Sequence, residues 1–141
     1  MAVKVKRVYE APAATDGARI LVDRLWPRGL TKQAASIERW LREIAPSNEL
    51  RHWFHANPTE WNVFRRRYLR ELGQPKAILS LETLYQMLGK HKIVTLLYAS
   101  RNEQFNNAVA LKELLDGRRK PPTGTGAGAY AKNSRSVRRA K

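Results

Sequence analysis

Six polar side chains follow two apolar segments that predict neighbouring strands of a sheet. They are Asp23, Arg24, Arg28, Ser100, Arg101 and Asn102. The first three follow the apolar run 18–22, and the other three follow the run 93–98. Because the carboxyl ends of parallel strands meet at one edge of a sheet, these side chains would converge there. Guanidinium groups beside the start of a helix suit a carboxylate or a phosphate, so we predict an anion-binding site at this edge.

Each member of this cluster also has a structural interpretation, and the sequence leaves both open. Asp23 suits an ion pair with a nearby arginine that would tie two loops together. Trp26 and Pro27 suit a packing contact as well as a surface on which a ligand stacks, and Asn102 suits a helix cap as well as a ligand contact. The prediction therefore depends on the convergence of the residues and not on any single one of them.

A catalytic site would also need a general base, and His55 is the candidate. It follows two aromatic residues at a predicted helix end, and histidine is the usual base near neutral pH. A structural role at the helix end is the alternative, so catalysis by Asp23 and His55 stands as a hypothesis. The three histidines lack metal-ligand spacing, the chain has no cysteine, and no strand precedes its glycine-rich segment. We therefore predict no metal and no cofactor.

Hydrophobic periodicity supplies the elements that would position these residues. Strands are predicted over 3–9, 18–22 and 93–98. The last is almost continuously apolar and hence central, while the direction in which the first pairs stays open. Helices are predicted over 37–44, 47–54, 57–73 and 75–89, and from a cap at Ser100 or Asn102 onward. The fold class is α/β, a small mainly parallel sheet of about three or four strands covered by about five helices.

The positive charge of the chain is concentrated at one end. The 141 residues are 43% apolar, which suffices for one core, and the net charge is +15. Eight of these charges come from lysines and arginines after Gly117, where no acid occurs, so +7 remains on residues 1–116. Consecutive prolines and a glycine-rich segment after residue 120 predict disorder. We predict an α/β domain over 1–116 and a disordered basic tail over 117–141.

This excess of positive charge favours anionic partners. For the domain the expected partner is an anionic small molecule, and for the tail it is nucleic acid, contacted non-specifically through its phosphates. The arginines at 65–67 and 70 suit either a solvated helix face or an extension of the tail's basic surface. No apolar window approaches the roughly 20 residues of a membrane span, and no signal-peptide pattern occurs, so we expect a cytoplasmic location without membrane contact. The oligomeric state is not predicted.

One string of residues is distinctive, Asp23-Arg24-Leu25-Trp26-Pro27-Arg28-Gly29. Together with other segments it closely resembles the domain of unknown function 488 (DUF488) family, the YeaO-like proteins. The further matching segments lie at 16–17, 45–47, 50–51, 53–55, 61–72, 95–99 and 106–108. The resemblance covers residues 3 to 115 and implies a single α/β domain, in a family whose function is unknown.

The resemblance also bears on the site residues. Polar residues shared with the family fall on Asp23, Arg24, Arg28, Ser47, Arg51, His55, Arg101 and Asn106. This adds Arg51 and Asn106 to the predicted ligand contacts. The chain departs from the family at Asn102, where many relatives have an acid, and at Phe105, where many have histidine. These departures weaken any mechanism that needs a carboxylate or an imidazole at the start of the last helix.

Three functional hypotheses remain open. In the first, the domain is an enzyme or a ligand-binding protein in which arginines hold an anion and Asp23 orients them. In the second, the protein associates with nucleic acid through its basic tail. In the third, it is an interaction module whose arginines serve only the fold. The first hypothesis requires that Arg24 and Arg101 lie at one cavity and are not consumed by internal carboxylates.

Overall fold

The computed structural model describes residues 2–117. In chain order the strands and helices are β1 (Ala2–Arg7), β2 (Ala18–Leu21), α1 (Lys32–Ala35), β3 (Arg39–Trp40), α2 (Asn48–Ala56), α3 (Trp61–Leu72), α4 (Pro75–Lys90), β4 (Ile93–Tyr98) and α5 (Asn107–Asp116). Two 3₁₀ turns, Ala14–Asp16 and Arg42–Ile44, lie between them. Apart from Gly117, the predicted disordered tail lies outside the described residues.

The four strands form one sheet in the order β1-β4-β2-β3, and every neighbouring pair is parallel. The predicted α/β class, with a small parallel sheet and five helices, is confirmed. β1 pairs with β4 in parallel, which was the open question about the first strand. In the register of β2 with β4, Leu21 lies beside Leu97, so these two strands end together at one edge of the sheet.

The two faces of the sheet are covered differently. On one face, alternate side chains of β4 from Val94 to Tyr98 join the main core, which helices α2 to α5 complete. On the other face, Leu97 and Leu21 form a small cluster against which Trp40 packs. Successive residues of a strand point to opposite faces, so a strand that is covered on both faces is apolar at nearly every position. This explains the continuous apolar run of β4.

A buried ion cluster lies at the start of β2. Asp16 Oδ2 lies 2.6 Å from Arg19 Nη1, and both of its carboxylate oxygens lie 3.1 Å from Lys6 Nζ. Burial alone would raise the pKa of Asp16, but the hydrogen bond from the Ala13 amide and the two cations hold that pKa below its ordinary value. The cluster anchors the entry into β2, and nothing in the sequence spacing indicated it.

Gly17 allows the chain to turn from this cluster into the sheet. Its φ is +65°, in the region that favours glycine, and a Cβ at this position would lie 2.2 Å from the carbonyl oxygen of Ile93. Thr95 Oγ1 donates a 2.6 Å hydrogen bond to the backbone oxygen of Asp16 just before this turn. The start of β2 is therefore held closely against β4.

The prediction of a helix over residues 37–44 is wrong. This segment contains the two-residue strand β3 and a 3₁₀ turn instead. The amides of Glu38 and Leu41 donate to the carbonyls of Arg19 and Leu21, so the segment pairs with the edge of β2 that β4 leaves open. Strand pairing satisfies those backbone groups, and this tertiary requirement outweighs a helical spacing of apolar residues.

Two other predicted helices begin later than expected. The helix predicted from Asn57 begins at Trp61, because the Asn57 side chain donates to the Trp53 carbonyl and ends α2. The last helix begins at Asn107 and is capped by Asn106, whose Oδ1 accepts from the Val109 amide, and not by Ser100 or Asn102. The predicted cap at Ser47 and the predicted start at Pro75 are confirmed.

Candidate functional site

A cleft of about 880 Å³ lies at the carboxyl edge of the sheet. It is lined by the segments that follow β1, β2 and β4 and by residues of α2 and α3. All nine site residues predicted from the sequence line it: Asp23, Arg24, Arg28, Arg51, His55, Ser100, Arg101, Asn102 and Asn106. In open parallel sheets this edge is where ligands bind. The structure thus brings the predicted residues together, while their functional roles stay a prediction.

Asp23 connects three elements at the carboxyl edge of the sheet, the ends of β2 and β4 and the start of α5. Its Oδ2 accepts a 2.8 Å hydrogen bond from the Ala99 amide, and its Oδ1 accepts a 3.2 Å hydrogen bond from Asn107 Nδ2. Burial raises the pKa of Asp23, although these two hydrogen bonds and the charge of Arg51 act in the opposite direction. Among residues 2–117 no arginine forms an ion pair with it. The carboxylate binds neutral donors, so the ion pair considered from the sequence is not formed.

Arg24 fastens the segment after β2 to the segment before α2. Its Nε lies 3.2 Å from the Pro46 carbonyl oxygen, and its Nη2 lies 3.1 Å from that of Ala45. These bonds to neutral acceptors leave the positive charge uncompensated by a carboxylate. Arg24 and Arg101 line the same cleft, and neither is paired with an acid in the described part of the chain.

Arg28 and Arg101 have the least restrained cationic side chains in the cleft. Both side chains are exposed, and neither guanidinium has a hydrogen-bond or ion-pair partner within residues 2–117. The backbone of Arg28 is held in place, because its carbonyl oxygen accepts a 2.9 Å hydrogen bond from the Tyr9 hydroxyl. The cleft is lined by four arginines and one aspartate, a formal charge of +3. Unpaired guanidinium groups at a concave surface of this charge can bind a carboxylate or a phosphate in a bidentate manner.

Helix α2 brings Arg51 and His55 to the cleft from another side. They are four residues apart and therefore lie on one face of the helix. The helix start is fixed by Ser47, whose Oγ accepts from the Leu50 amide and donates a 2.7 Å hydrogen bond to Glu71 Oε2 on α3. His55 is exposed, and its ring has no partner within the described residues. No hydrogen bond joins His55 to Asp23 in that part of the chain.

The loop between β4 and α5 supplies the remaining predicted contacts, and its polar atoms are mostly used within the loop. Ser100 Oγ accepts from the Asn102 amide, and Asn102 Oδ1 accepts from the amides of Gln104 and Phe105. Asn106 is buried, caps α5, and donates through Nδ2 to the Asn102 carbonyl. These hydrogen bonds shape the rim of the cleft.

Aromatic side chains form an apolar wall in the same cleft as the arginines, and the sequence prediction missed it. The rings of Phe54 and Phe64 stack with centroids 4.4 Å apart, and Trp61 links Phe64 to Phe105 at 5.6 and 5.2 Å. Phe54, Phe64 and Phe105 all line the cleft. A usable signal was present in Phe105, an isolated aromatic residue within a polar loop.

Trp26 contributes packing to the site. Its ring meets that of Trp40 edge-on at 5.4 Å, and its Nε1 donates a 2.7 Å hydrogen bond to the Leu30 carbonyl. Trp40 Nε1 in turn donates to the backbone oxygen of Asp23. These contacts hold the segment after β2 in place, as the packing interpretation predicts.

Two further features of the described residues concern groups of metal ligands and membrane-spanning helices. Within residues 2–117, no three or more histidine, aspartate or glutamate side chains are grouped so that they could hold a metal ion. No helix in the same range is long and apolar enough to cross a lipid bilayer.

The family model and the individual relatives that match the chain indicate the same family. A family model described as "Inactive DUF488-N3 subclade" matches residues 2–130. The chain is 40% identical over 115 residues to the uncharacterized protein YeaO of Escherichia coli (strain K12), a match that covers 82% of this chain and 97% of the relative. It is 39% identical over 116 residues to the uncharacterized protein Rv3073c of Mycobacterium tuberculosis (strain ATCC 25618 / H37Rv), covering 82% and 95% respectively. No solved structure matches the chain.

Proposed function

The chain belongs to the DUF488 family, and from that premise we propose that its cleft binds a small anionic ligand, bearing a phosphate or a carboxylate, without transforming it. One observation carries the proposal. The guanidinium groups of Arg28 and Arg101 have no partner within residues 2–117, and they line a cleft that holds a single acid. Exposed cations at a concave site attract anions and bind them by charge-assisted hydrogen bonds.

Binding fits the site better than catalysis does. A general base is normally oriented by a second group, yet the His55 ring has no such partner in the described chain. Both carboxylate oxygens of Asp23 already accept hydrogen bonds from neutral donors that hold the fold together. The matching subclade is described as inactive. The departures that the resemblance implies at Asn102 and Phe105 favour the same interpretation. We therefore assign Asp23 a positioning role and His55 a contact at the rim.

Titration of the full-length protein with inorganic phosphate and with ribose 5-phosphate tests this function. Arg28→Gln and Arg101→Gln should each weaken binding by about tenfold, because each removes a charge-assisted hydrogen bond. The matched control is Arg66→Gln combined with Arg70→Gln, two exposed arginines of α3 that do not line the cleft. If the cleft variants and the control bind equally, or if the native protein binds neither these two phosphates nor a carboxylate such as acetate, the proposal is wrong.

Nucleic-acid association through the tail is the second candidate, favoured by the eight positive charges after Gly117. Non-specific binding of this kind weakens as the salt concentration rises. The logarithm of the binding constant falls with the logarithm of the salt concentration, with a slope of about −0.9 for each phosphate contacted. In a full-length variant with these eight residues changed to glutamine, the binding constant for duplex DNA should lose most of its dependence on salt concentration. An unchanged slope would assign binding to another surface. This candidate and ligand binding in the cleft are compatible, and both suit the cytoplasmic location that we propose.

A further inference from the structure

We propose that the ligand of the cleft carries a flat ring beside its anionic group, as a nucleoside phosphate or an aryl carboxylate does. The inference rests on the proposed function and adds the chemical class of the ligand. It comes from one juxtaposition, in which unpaired arginines and exposed apolar side chains line the same cleft.

Exposed apolar side chains are concentrated at this site. Within residues 2–117 the large ones are Tyr9, Leu25, Leu79 and Phe105, with exposed fractions of 41%, 56%, 66% and 39%. All of them except Leu79 line the cleft. Single exposed apolar residues are ordinary on a protein surface, but several gathered in one concavity mark a binding surface. The cleft therefore offers apolar contact as well as charge.

Phe105 is held as a platform for a ring. Its own ring lies 5.2 Å from that of Trp61 at an interplanar angle of 52°, and Trp61 in turn stacks on Phe64. These contacts connect the Phe105 ring through Trp61 to Phe64, which is buried in the core. An aromatic side chain ordered in this way can stack a planar group at little further cost in entropy.

The proposed anion and ring contacts belong to one loop of the cleft. Arg101 and Phe105 are four residues apart in the loop between β4 and α5, and both line the cleft. A volume of about 880 Å³ falls in the range of sites that hold a nucleotide-sized molecule. The formal charge of +3 disfavours a cationic ligand, and an inorganic anion would leave the apolar wall uncovered. A ring joined to an anionic group satisfies both sides of the cleft.

Titration of the full-length protein with four probes, followed by NMR, tests this inference. The probes are adenosine monophosphate, ribose 5-phosphate, phenylacetate and acetate. The ring should add about tenfold in affinity within the phosphate pair or within the carboxylate pair, as is usual for stacking on an aromatic residue. The pair that shows the gain identifies the ligand as a nucleoside phosphate or as an aryl carboxylate.

Substitutions at Phe105 assign the gain to the ring. Phe105→Ala should abolish the preference for the ring-bearing probe and leave the affinity for its ring-free partner unchanged, whereas Phe105→Tyr should retain the preference. Leu79→Ala removes an exposed apolar side chain away from the cleft and is the control. If Phe105→Ala does not fold, Phe105→Leu keeps the apolar volume without the ring and serves in its place.

The outcomes separate this inference from the proposed function. Equal affinities within both pairs, or a preference that survives Phe105→Ala, would overturn the ring contact while anion binding stands. Failure of all four probes to bind would overturn both.

Discussion

Asn107 Nδ2 donates a 3.2 Å hydrogen bond to the carboxylate of Asp23, which lies 84 residues earlier in the chain. The same amide donates at 2.9 Å to the carbonyl oxygen of Val22. Since Asp23 also accepts from the Ala99 amide, one side chain joins the end of β2, the end of β4 and the first residue of α5. The edge that bears the cleft is therefore held by neutral donors around a carboxylate, which leaves the nearby arginines unpaired.

Asp23→Asn should lower the free energy of unfolding by about 1–3 kcal/mol, because the two donors bond to different carboxylate oxygens and the amide replaces one of these oxygens with an NH2 group, so one donor loses its partner. Burial raises the pKa of Asp23 in the folded state, so its contribution to stability declines as the pH rises from 3.8 through that pKa. The difference in unfolding free energy between the native protein and the variant should therefore be largest near pH 3.8 and should decrease toward neutral pH. Urea denaturation of both proteins across this range measures it. A deficit that grows as the pH rises would show that the pKa is lowered instead.

Asp16→Asn should have the opposite pH dependence. The folded-state pKa of Asp16 lies below 3.8, so its contribution is complete above that pH and is lost as the pH falls through the folded-state pKa. At neutral pH the variant leaves the buried guanidinium of Arg19 without its carboxylate, which should cost about 3–5 kcal/mol. The difference in unfolding free energy from the native protein should be constant from pH 7 to 5 and narrow below 3.8. A difference already narrowing at pH 6 would contradict this assignment.

Gly17→Ala should destabilise the fold by more than about 1 kcal/mol, because the residue has a φ of +65° and its new Cβ would overlap the Ile93 carbonyl oxygen. Gly89→Ala is the matched control, since that glycine lies within α4 and a Cβ there meets nothing within 4 Å. The control should gain roughly 0.5–1 kcal/mol from the higher helix propensity of alanine. Thermal unfolding compares the two, and equal melting temperatures would contradict the prediction.

Ser47→Ala should affect both stability and ligand binding. It removes the cap of α2 and the hydrogen bond to Glu71, at a cost of about 1–2 kcal/mol. Because α2 carries Arg51 and His55 to the cleft, the affinity for ribose 5-phosphate should fall as well. Thr31→Ala removes the equivalent cap of α1, which does not line the cleft, and should leave the affinity unchanged. Equal affinities of the two variants would show that α2 is positioned by other contacts.

The convergence of the site residues was predictable because it follows from topology. Once the runs before Asp23 and after residue 92 are identified as parallel strands, their following residues must meet at one edge. Which residues would stay unpaired was not predictable. Arg24 and Arg28 are four residues apart in one segment, yet only Arg24 reaches backbone carbonyls, at Ala45 and Pro46. That difference depends on where a later segment crosses, which local spacing does not encode.

The same limit explains the errors in the helices. Ile37, Trp40, Leu41 and Ile44 have the spacing of a helical face, but the open edge of β2 recruits their segment into a strand. For α5, Ser100, Asn102 and Asn106 are all suitable caps by residue type. The choice of Asn106 goes with the hydrogen bonds of its neighbour Asn107 to Val22 and Asp23, which are distant in sequence.

The cleft is assembled from segments that run from Tyr9 to Asn107, so it exists only when nearly the whole described chain has folded. Any molecule that occupies it therefore acts as a stabiliser of the entire domain, by about 2.7 kcal/mol at a concentration of 100 Kd. Resistance to heat or to proteases thus reports occupancy without a designed assay. A library of metabolites can be screened against the native protein by its melting temperature alone, and this screen tests the proposed ligand binding without any assumption about the chemistry of the ligand.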